Sequence, residues 1–183
     1  MAVIAYQYRG DLVDQIHRGH IAVTDHTGRI LWKLGDPERL TFARSSAKPL
    51  QAIPVAESGA LEHYGITPQE LAVICSSHNG EPFHVKAVES ILHKAGLSPD
   101  QLCCGSEYPM YVPAEDALKI AGIPRAPIYC DCSGKHAGML ITARHFGESL
   151  ENYTALEHPV QQRILSVFAE MCGVETSDVQ LAV

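Results

Sequence analysis

The sequence contains no basic run. Its 14 lysines and arginines are outnumbered by 21 aspartates and glutamates, giving a formal net charge of −7. Nucleic-acid binding needs phosphate-neutralising cations gathered on one face, so that class of function is excluded. Long apolar runs are also missing, and none approaches the about 20 residues that span a bilayer. A secretory leader is not visible, because Arg9, Asp11 and Asp14 interrupt the opening MAVIAYQYRGDLVDQ too early for an apolar core. The expected location is cytoplasmic, with no membrane partner. There are no internal repeats and no low-complexity segment. The six cysteines, Cys75, Cys103, Cys104, Cys130, Cys132 and Cys172, form no C-x-x-C pair of the kind that closes a structural zinc site. Without a leader, reduced thiols are expected, most of them acting as small buried hydrophobes.

What is present is ordinary globular material. The chain has 183 residues, 46% of them hydrophobic and 19% charged. That length makes one domain or a large part of one, and buries roughly two thirds of the unfolded surface. The first forty residues read as a meander of strands. Val3 to Tyr8 is rich in β-formers, Leu12, Ile16, Ile21 and Val23 recur between breaks at Gly10 and Gly19, and Asp25-His26-Thr27-Gly28 turns into a returning strand over 29–34. Residues 45–56 have helical composition, with Pro49 in the first turn, Pro54 expected to kink or shorten the helix, and Gly59 to stop it. Leu71 to Ile74 reads as a short buried strand opening into the polar loop Cys75 to Gly80. Pro82 starts a helix that Gly96 ends, and residues 114–120 form a shorter one. Ser133 is a candidate N-cap for a helix that Gly147 closes, and residues 160–171 form another amphipathic helix. Val179 to Val183 reads as a strand caught in mid-course, so the sequence is expected to be a fragment.

Three segments carry possible chemistry. In Ser45-Ser46-Ala47-Lys48 the first and last residues lie on one helical face. A serine hydroxyl becomes a nucleophile when a base takes its proton. A lysine amine serves if burial depresses its pKa from about 10.4 towards about 7–8. S-x-x-K is used this way in β-lactamases and penicillin-binding proteins. Standing alone it is also a chance match, with Ser45 a cap and Lys48 a solvated helix residue. Ser77-His78-Asn79 is similar to the S-D-N element that accompanies S-x-x-K in those hydrolases. There Ser77 would relay a proton and Asn79 would hold a carbonyl or a lysine. The competing reading is a polar turn in which Asn79-Gly80 supplies left-handed backbone. Cys130-Asp131-Cys132-Ser133-Gly134-Lys135-His136 joins thiols, an imidazole and a helix start, which suits a metal or a reactive thiol as well as buried cysteines. Arg125 and the other eight histidines show no discriminating pattern.

Together, residues 43–49, 75–81 and 130–139 resemble the L-asparaginase II family, the inducible, thermolabile, rhizobial-type class 3 asparaginases. The resemblance runs along the whole chain, including Tyr8-Arg9-Gly10 and the strand with Trp32. It makes residues 1–183 the N-terminal part of a single asparaginase II domain. It implies an α/β fold of the α+β type, similar to serine β-lactamases and glutaminases, with an antiparallel sheet flanked by helices. The implied reaction is hydrolysis of L-asparagine to L-aspartate and ammonia. Carried over by position, Ser45 and Lys48 form one Ser-Lys tandem and Ser77 belongs to a second. Cys132 and Lys135 resemble ligands to one zinc ion, and Arg44, Asn79, Gly134 and His136 line or support the substrate pocket. The lysine partner of Ser77 and a further zinc cysteine are expected beyond Val183. The expected partners are the small-molecule substrate L-asparagine and a second copy of the chain in a homodimer. A related serine acyl hydrolase, a glutaminase or β-lactam-reactive enzyme, and a non-catalytic metal-binding module are the competing readings.

Overall fold

The computed structural model describes residues 1–181. The chain divides into two compact units, Met1–Phe42 and Ala43–Val183. The first unit holds the strands. β1 (Ala2–Arg9) pairs antiparallel with β2 (Leu12–Gly19), Arg9 opposite Leu12. Gly10, at φ 62°, supplies the left-handed backbone that a two-residue hairpin turn needs. β3 (Ile21–Thr24) pairs antiparallel with β4 (Ile30–Leu34). Their turn is shaped by Asp25, whose carboxylate accepts the N–H groups of Thr27 at 2.9 Å and Arg29 at 3.1 Å, an Asx-turn. The two sheets have two strands each. The expected strands and their antiparallel pairing are present, but as two separate hairpins rather than one continuous meander, since β2 and β3 do not pair.

The second unit is helical: α1 (Lys48–Glu57), α2 (Ala60–His63), α3 (Pro68–Ile74), α4 (Pro82–Lys94), α5 (Val112–Ile120), α6 (Ser133–His145) and α7 (Pro159–Cys172). With the hairpins of the first unit this makes a mixed α+β chain. Most of α6 is buried, every residue from Ser133 to Ala143 except the half-buried Lys135, because helices pack on several of its sides. It packs against α1, α3, α4 and α7. Val55, Ile74, Val88, Ile91, Leu140, Ile141 and Val160 are sealed from solvent, each worth about 1.5–3 kcal/mol of burial. Gly134 and Gly138 let α6 approach α3 closely. A Cβ on Gly134 would run into the Val73 backbone, and one on Gly138 would lie 2.7 Å from Ile74 Cγ2. Pro54 lies inside α1, which runs on to Glu57, so the proline does not cut the helix short.

Four expectations are corrected here. Of the six cysteines, expected to be mostly buried, Cys130 alone is buried, because the others fall in loops or at the ends of helices. Leu71 to Ile74 is not a strand but the end of α3. Pro68 sits in its first turn, and Thr67 and Glu70 form a reciprocal capping box. That local chemistry starts a helix wherever a short apolar run is compatible with either state. Ser133 is not the cap of α6. Cys132 holds that position, without a side-chain hydrogen bond, and Ser133 is the first helical residue. At the other end, Val179 to Leu181 carry no strand and follow a 3-10 turn, Thr176–Asp178. The rest of the expected terminal strand, residues 182–183, lies outside the described residues.

Glu70 ties this helical unit together. Its carboxylate accepts the Thr67 N–H at 2.6 Å and the Lys94 ammonium of α4 at 2.7 Å. Burial alone would raise its pKa. The hydrogen bonds from Lys94 and Thr67 outweigh burial and carry it from 4.5 down to about 2. A folded-state pKa below the unfolded one contributes stability that is complete above the unfolded value and is lost as pH falls through the folded one. The window here runs from 4.5 down to about 2. Glu70→Gln should therefore lower stability at neutral pH by about 1–3 kcal/mol and flatten the acid-side loss in that window. Urea unfolding across the window checks this, and an unchanged acid slope in the variant would assign the sensitivity elsewhere.

Candidate active site

Lys48 is the first residue of α1, and its side chain is 4% exposed. A long basic side chain is rarely this buried unless it is paired. Its amine donates to the Asp131 backbone carbonyl at 3.1 Å and lies 3.6 Å from the Asp131 carboxylate. The same carboxylate oxygen accepts a short hydrogen bond from the Ser77 hydroxyl. Lys48 and Ser77, 29 residues apart in sequence, thus meet on one atom of the third motif. Burial works to raise the Asp131 pKa, but hydrogen bonds from Ser77 and Cys132 and the Lys48 charge leave it below the usual carboxylate value.

The loop that carries Ser77 is pinned through its neighbour. The His78 N–H donates to the Asp131 carbonyl at 3.2 Å. Its ring is buried, with Nδ1 accepting the Gly80 N–H at 3.1 Å and Nε2 lying 2.9 Å from Ser133 Oγ. Because Nδ1 accepts, the ring proton sits on Nε2 and is donated to Ser133, whose hydroxyl donates onward to the Ile128 carbonyl at 3.1 Å. Burial, reinforced by the charges of His84 and Lys48, holds the His78 pKa down at about 4, which keeps this chain of bonds neutral and intact. Gly80 holds a left-handed backbone at φ 71°, which Asn79 does not share. A Cβ there would lie 2.9 Å from Pro109 and 3.1 Å from the Tyr129 carbonyl, so glycine is required.

Around α6, Cys130 Sγ, an Asp131 carboxylate oxygen and Cys132 Sγ all lie within 4.8 Å of one another. Zinc–sulfur bonds of about 2.3 Å put tetrahedral donors about 3.8 Å apart, so this group fits a metal ion. The hydrogen bond to Cys130 and burial push the Cys132 thiol well above its usual value. The hydrogen bond with Cys104 pushes Cys130 up to about 11. Lys135 is half-buried on the first turn of α6. His136 is buried, with Nδ1 2.8 Å from Tyr153 Oη, and burial carries its pKa down to about 3, helped by Lys135 and Lys48.

The remaining sequence-predicted residues make no side-chain hydrogen bond or ion pair to this cluster among the described residues. Ser45 lies exposed in a 3-10 turn, Arg44–Ala47, ahead of α1. Its carbonyl accepts the Lys48 N–H, but the Lys48 amine turns to Asp131. Arg44, also exposed, holds a left-handed backbone at φ 48°, a conformation that costs a non-glycine residue energy. The Asn79 side chain is exposed, while its carbonyl accepts the Tyr111 N–H at 2.8 Å. Gly134 supports the site by packing on α3 rather than by presenting a group to it.

The chain matches the family model for L-asparaginase II over residues 5–183, nearly its whole length. It belongs to the L-asparaginase II family. No curated protein matches it. Membership of the asparaginase II family suggests an amidohydrolase acting on asparagine, hence a small-molecule substrate. Among the described residues no helix is long and apolar enough to cross a membrane.

Sequence reading of this asparaginase II chain missed Asp131, His78, Ser133 and Tyr153. Asp131, His78 and Ser133 lay inside quoted motifs, and a carboxylate flanked by two cysteines was the available signal for the first. Tyr153 had no signal, since only the fold brings it to His136. The buried His78–Ser133–Ile128 chain gives a direct test. Ser133→Ala strands the His78 Nε2–H and should cost about 1–3 kcal/mol of stability, read by urea unfolding. A loss below a few tenths of a kcal/mol would mean that the ring finds another partner.

Proposed function

We propose that this asparaginase II chain hydrolyses L-asparagine to L-aspartate and ammonia through a serine acyl-enzyme, on a fold of the serine β-lactamase and glutaminase kind. The observation that carries the reading is the convergence of Lys48 and Ser77 on the Asp131 carboxylate, three groups from three separate motifs. In the reaction, the Ser45 hydroxyl attacks the side-chain carboxamide carbon as Lys48, in its neutral form, takes the hydroxyl proton. The proton passes by way of Ser77 to the departing nitrogen, which leaves as ammonia. An aspartyl ester remains on Ser45. Water, deprotonated by the same base, attacks the ester carbon, and L-aspartate departs as the serine regains its proton. Arg44, Asn79 and His136 hold the substrate's charged and polar groups.

The donor chemistry of the 130–135 segment suits one zinc ion, held by Cys132 and Lys135 with Cys130 and Asp131 within reach. Bound there, it would supply positive charge beside the substrate pocket. A cytoplasmic homodimer completes the reading. The Ser77–Asp131 hydrogen bond favours a second assignment of roles, with Ser77 the nucleophile, Asp131 its first proton acceptor and Ser45 the relay.

Lys48→Ala should lower kcat/KM for asparagine by about 10²–10⁴, the usual value of general-base help. Mass spectrometry of enzyme quenched during turnover of a slow ester analogue separates the two assignments by the peptide that carries the adduct. Near-wild-type activity in both Ser45→Ala and Ser77→Ala would end the serine mechanism. Glutamine is one methylene longer, a difference worth roughly 10–200-fold in a shaped pocket. Asparagine should be favoured by that order, and equal efficiency on the two amides would point to a glutaminase.

A further inference from the structure

Tyr153 is completely buried, yet it carries a hydroxyl that must be satisfied. It sits in the connection before α7, directly after Asn152, whose backbone is left-handed at φ 52°. Its carbonyl accepts Gln161 Nε2 of α7 at 2.9 Å, so the residue is anchored at both ends. Its oxygen makes two hydrogen bonds. The Cys103 N–H donates to it at 2.7 Å, and His136 Nδ1 lies 2.8 Å away. The rings meet edge to face at 5.6 Å.

Proton counting decides the direction of these bonds. A backbone N–H only donates, so the Tyr153 oxygen is the acceptor towards Cys103. Its own proton then has one acceptor in reach, His136 Nδ1. A neutral imidazole carries one N–H, and with Nδ1 accepting it must be Nε2. His136 Nε2 makes no hydrogen bond among the described residues, and it is not one of the ring nitrogens sealed from solvent without a partner. It is therefore a donor left available at a residue otherwise locked in place.

We propose that Tyr153 is a positioning residue that sets the tautomer of His136, so that Nε2–H is presented as a donor to an acceptor oxygen of the substrate. The tautomer follows from geometry alone, while its use on asparagine rests on the reaction proposed above. The other buried histidines are committed elsewhere, His78 to Gly80 and Ser133, and His158 to Ser149 and Val160.

Long-range nitrogen–proton NMR of histidine-labelled protein at neutral pH, with His136 assigned by its loss in His136→Gln, tests this directly. The expected spectrum shows protonated Nε2 and bare Nδ1. In Tyr153→Phe, which removes only the hydroxyl, His136 should become a mixture of tautomers, and KM for asparagine should rise roughly 3–10-fold with a smaller change in kcat. Rescue supplies a second arm: His136→Gln, whose amide reaches the ε position, should keep KM closer to wild type than His136→Asn, which reaches the δ position. A wild-type His136 protonated on Nδ1, or a Tyr153→Phe spectrum identical to wild type, would overturn the proposal. Should Tyr153→Phe not fold, the wild-type spectrum and the Gln/Asn contrast decide. The expected spectrum without asparagine turnover would overturn the asparaginase reading while supporting the tautomer assignment.

Discussion

A buried lysine amine has to be surrounded by acceptors, and the turn before α6 supplies them. Removing an ammonium from water costs several kcal/mol unless partners replace the solvent. Here one carbonyl, that of Asp131, accepts both the Lys48 amine and the His78 N–H. The carboxylate of the same residue stands opposite Lys48 and takes the Ser77 hydroxyl. Two segments remote in sequence are thereby registered against one residue. The position of α1, and of the loop after α3, relative to the start of α6 is fixed by these few bonds, so displacing Asp131 would disturb both serine-bearing segments together.

That register also depends on how closely two helices can pack. α6 presents glycine to α3 at both 134 and 138, one helical turn apart, and neither position has room for a Cβ. The loop Cys75 to Gly80 leaves directly from the end of α3. If α3 were held off by a methyl group, the loop would retreat with it and Ser77 would lose Asp131. Close-packed interiors transmit such shifts because they have little free volume to absorb them. Gly134 thus acts on the site through backbone distance, which explains how a residue without a side chain can matter beside the chemistry.

The division between what was legible in the sequence and what was not follows the range of the forces involved. The hairpins, the Pro82 helix and the helix through Leu140 are written in local pattern, and the structure agrees with that reading. Residues 71–74 were misread because a four-residue apolar run fits either state, while the deciding signal, Thr67 with Glu70, lay outside the run. The placement of Lys48, Ser77 and the 130–136 segment in one neighbourhood was suggested by motif and is visible in the geometry. Their common partner was not suggested. Asp131 acquires its importance from contacts 54 and 83 residues distant, and Tyr153 reaches Cys103 across 50 residues. Spacing rules that operate over three or four residues carry no information about such bonds.

The two serines are held in opposite ways, and the difference bears on their roles in the proposed reaction. Ser77 gives its proton to a carboxylate, which fixes the hydroxyl and leaves its oxygen electron-rich, but ties it to a short, charge-assisted bond. Among the described residues Ser45 makes no such bond, and the residue before it bears backbone strain of about 1–3 kcal/mol to stay left-handed. Strain of that size persists only where the surroundings enforce it. Its effect is to hold Ser45 exposed one short turn ahead of a buried lysine. Both serines are exposed, so what separates them is the bond to Asp131, which only Ser77 makes. In the proposed reaction Lys48 must first give up its ammonium proton, for which the Asp131 carboxylate 3.6 Å away is the acceptor at hand, before the neutral amine can take the Ser45 proton.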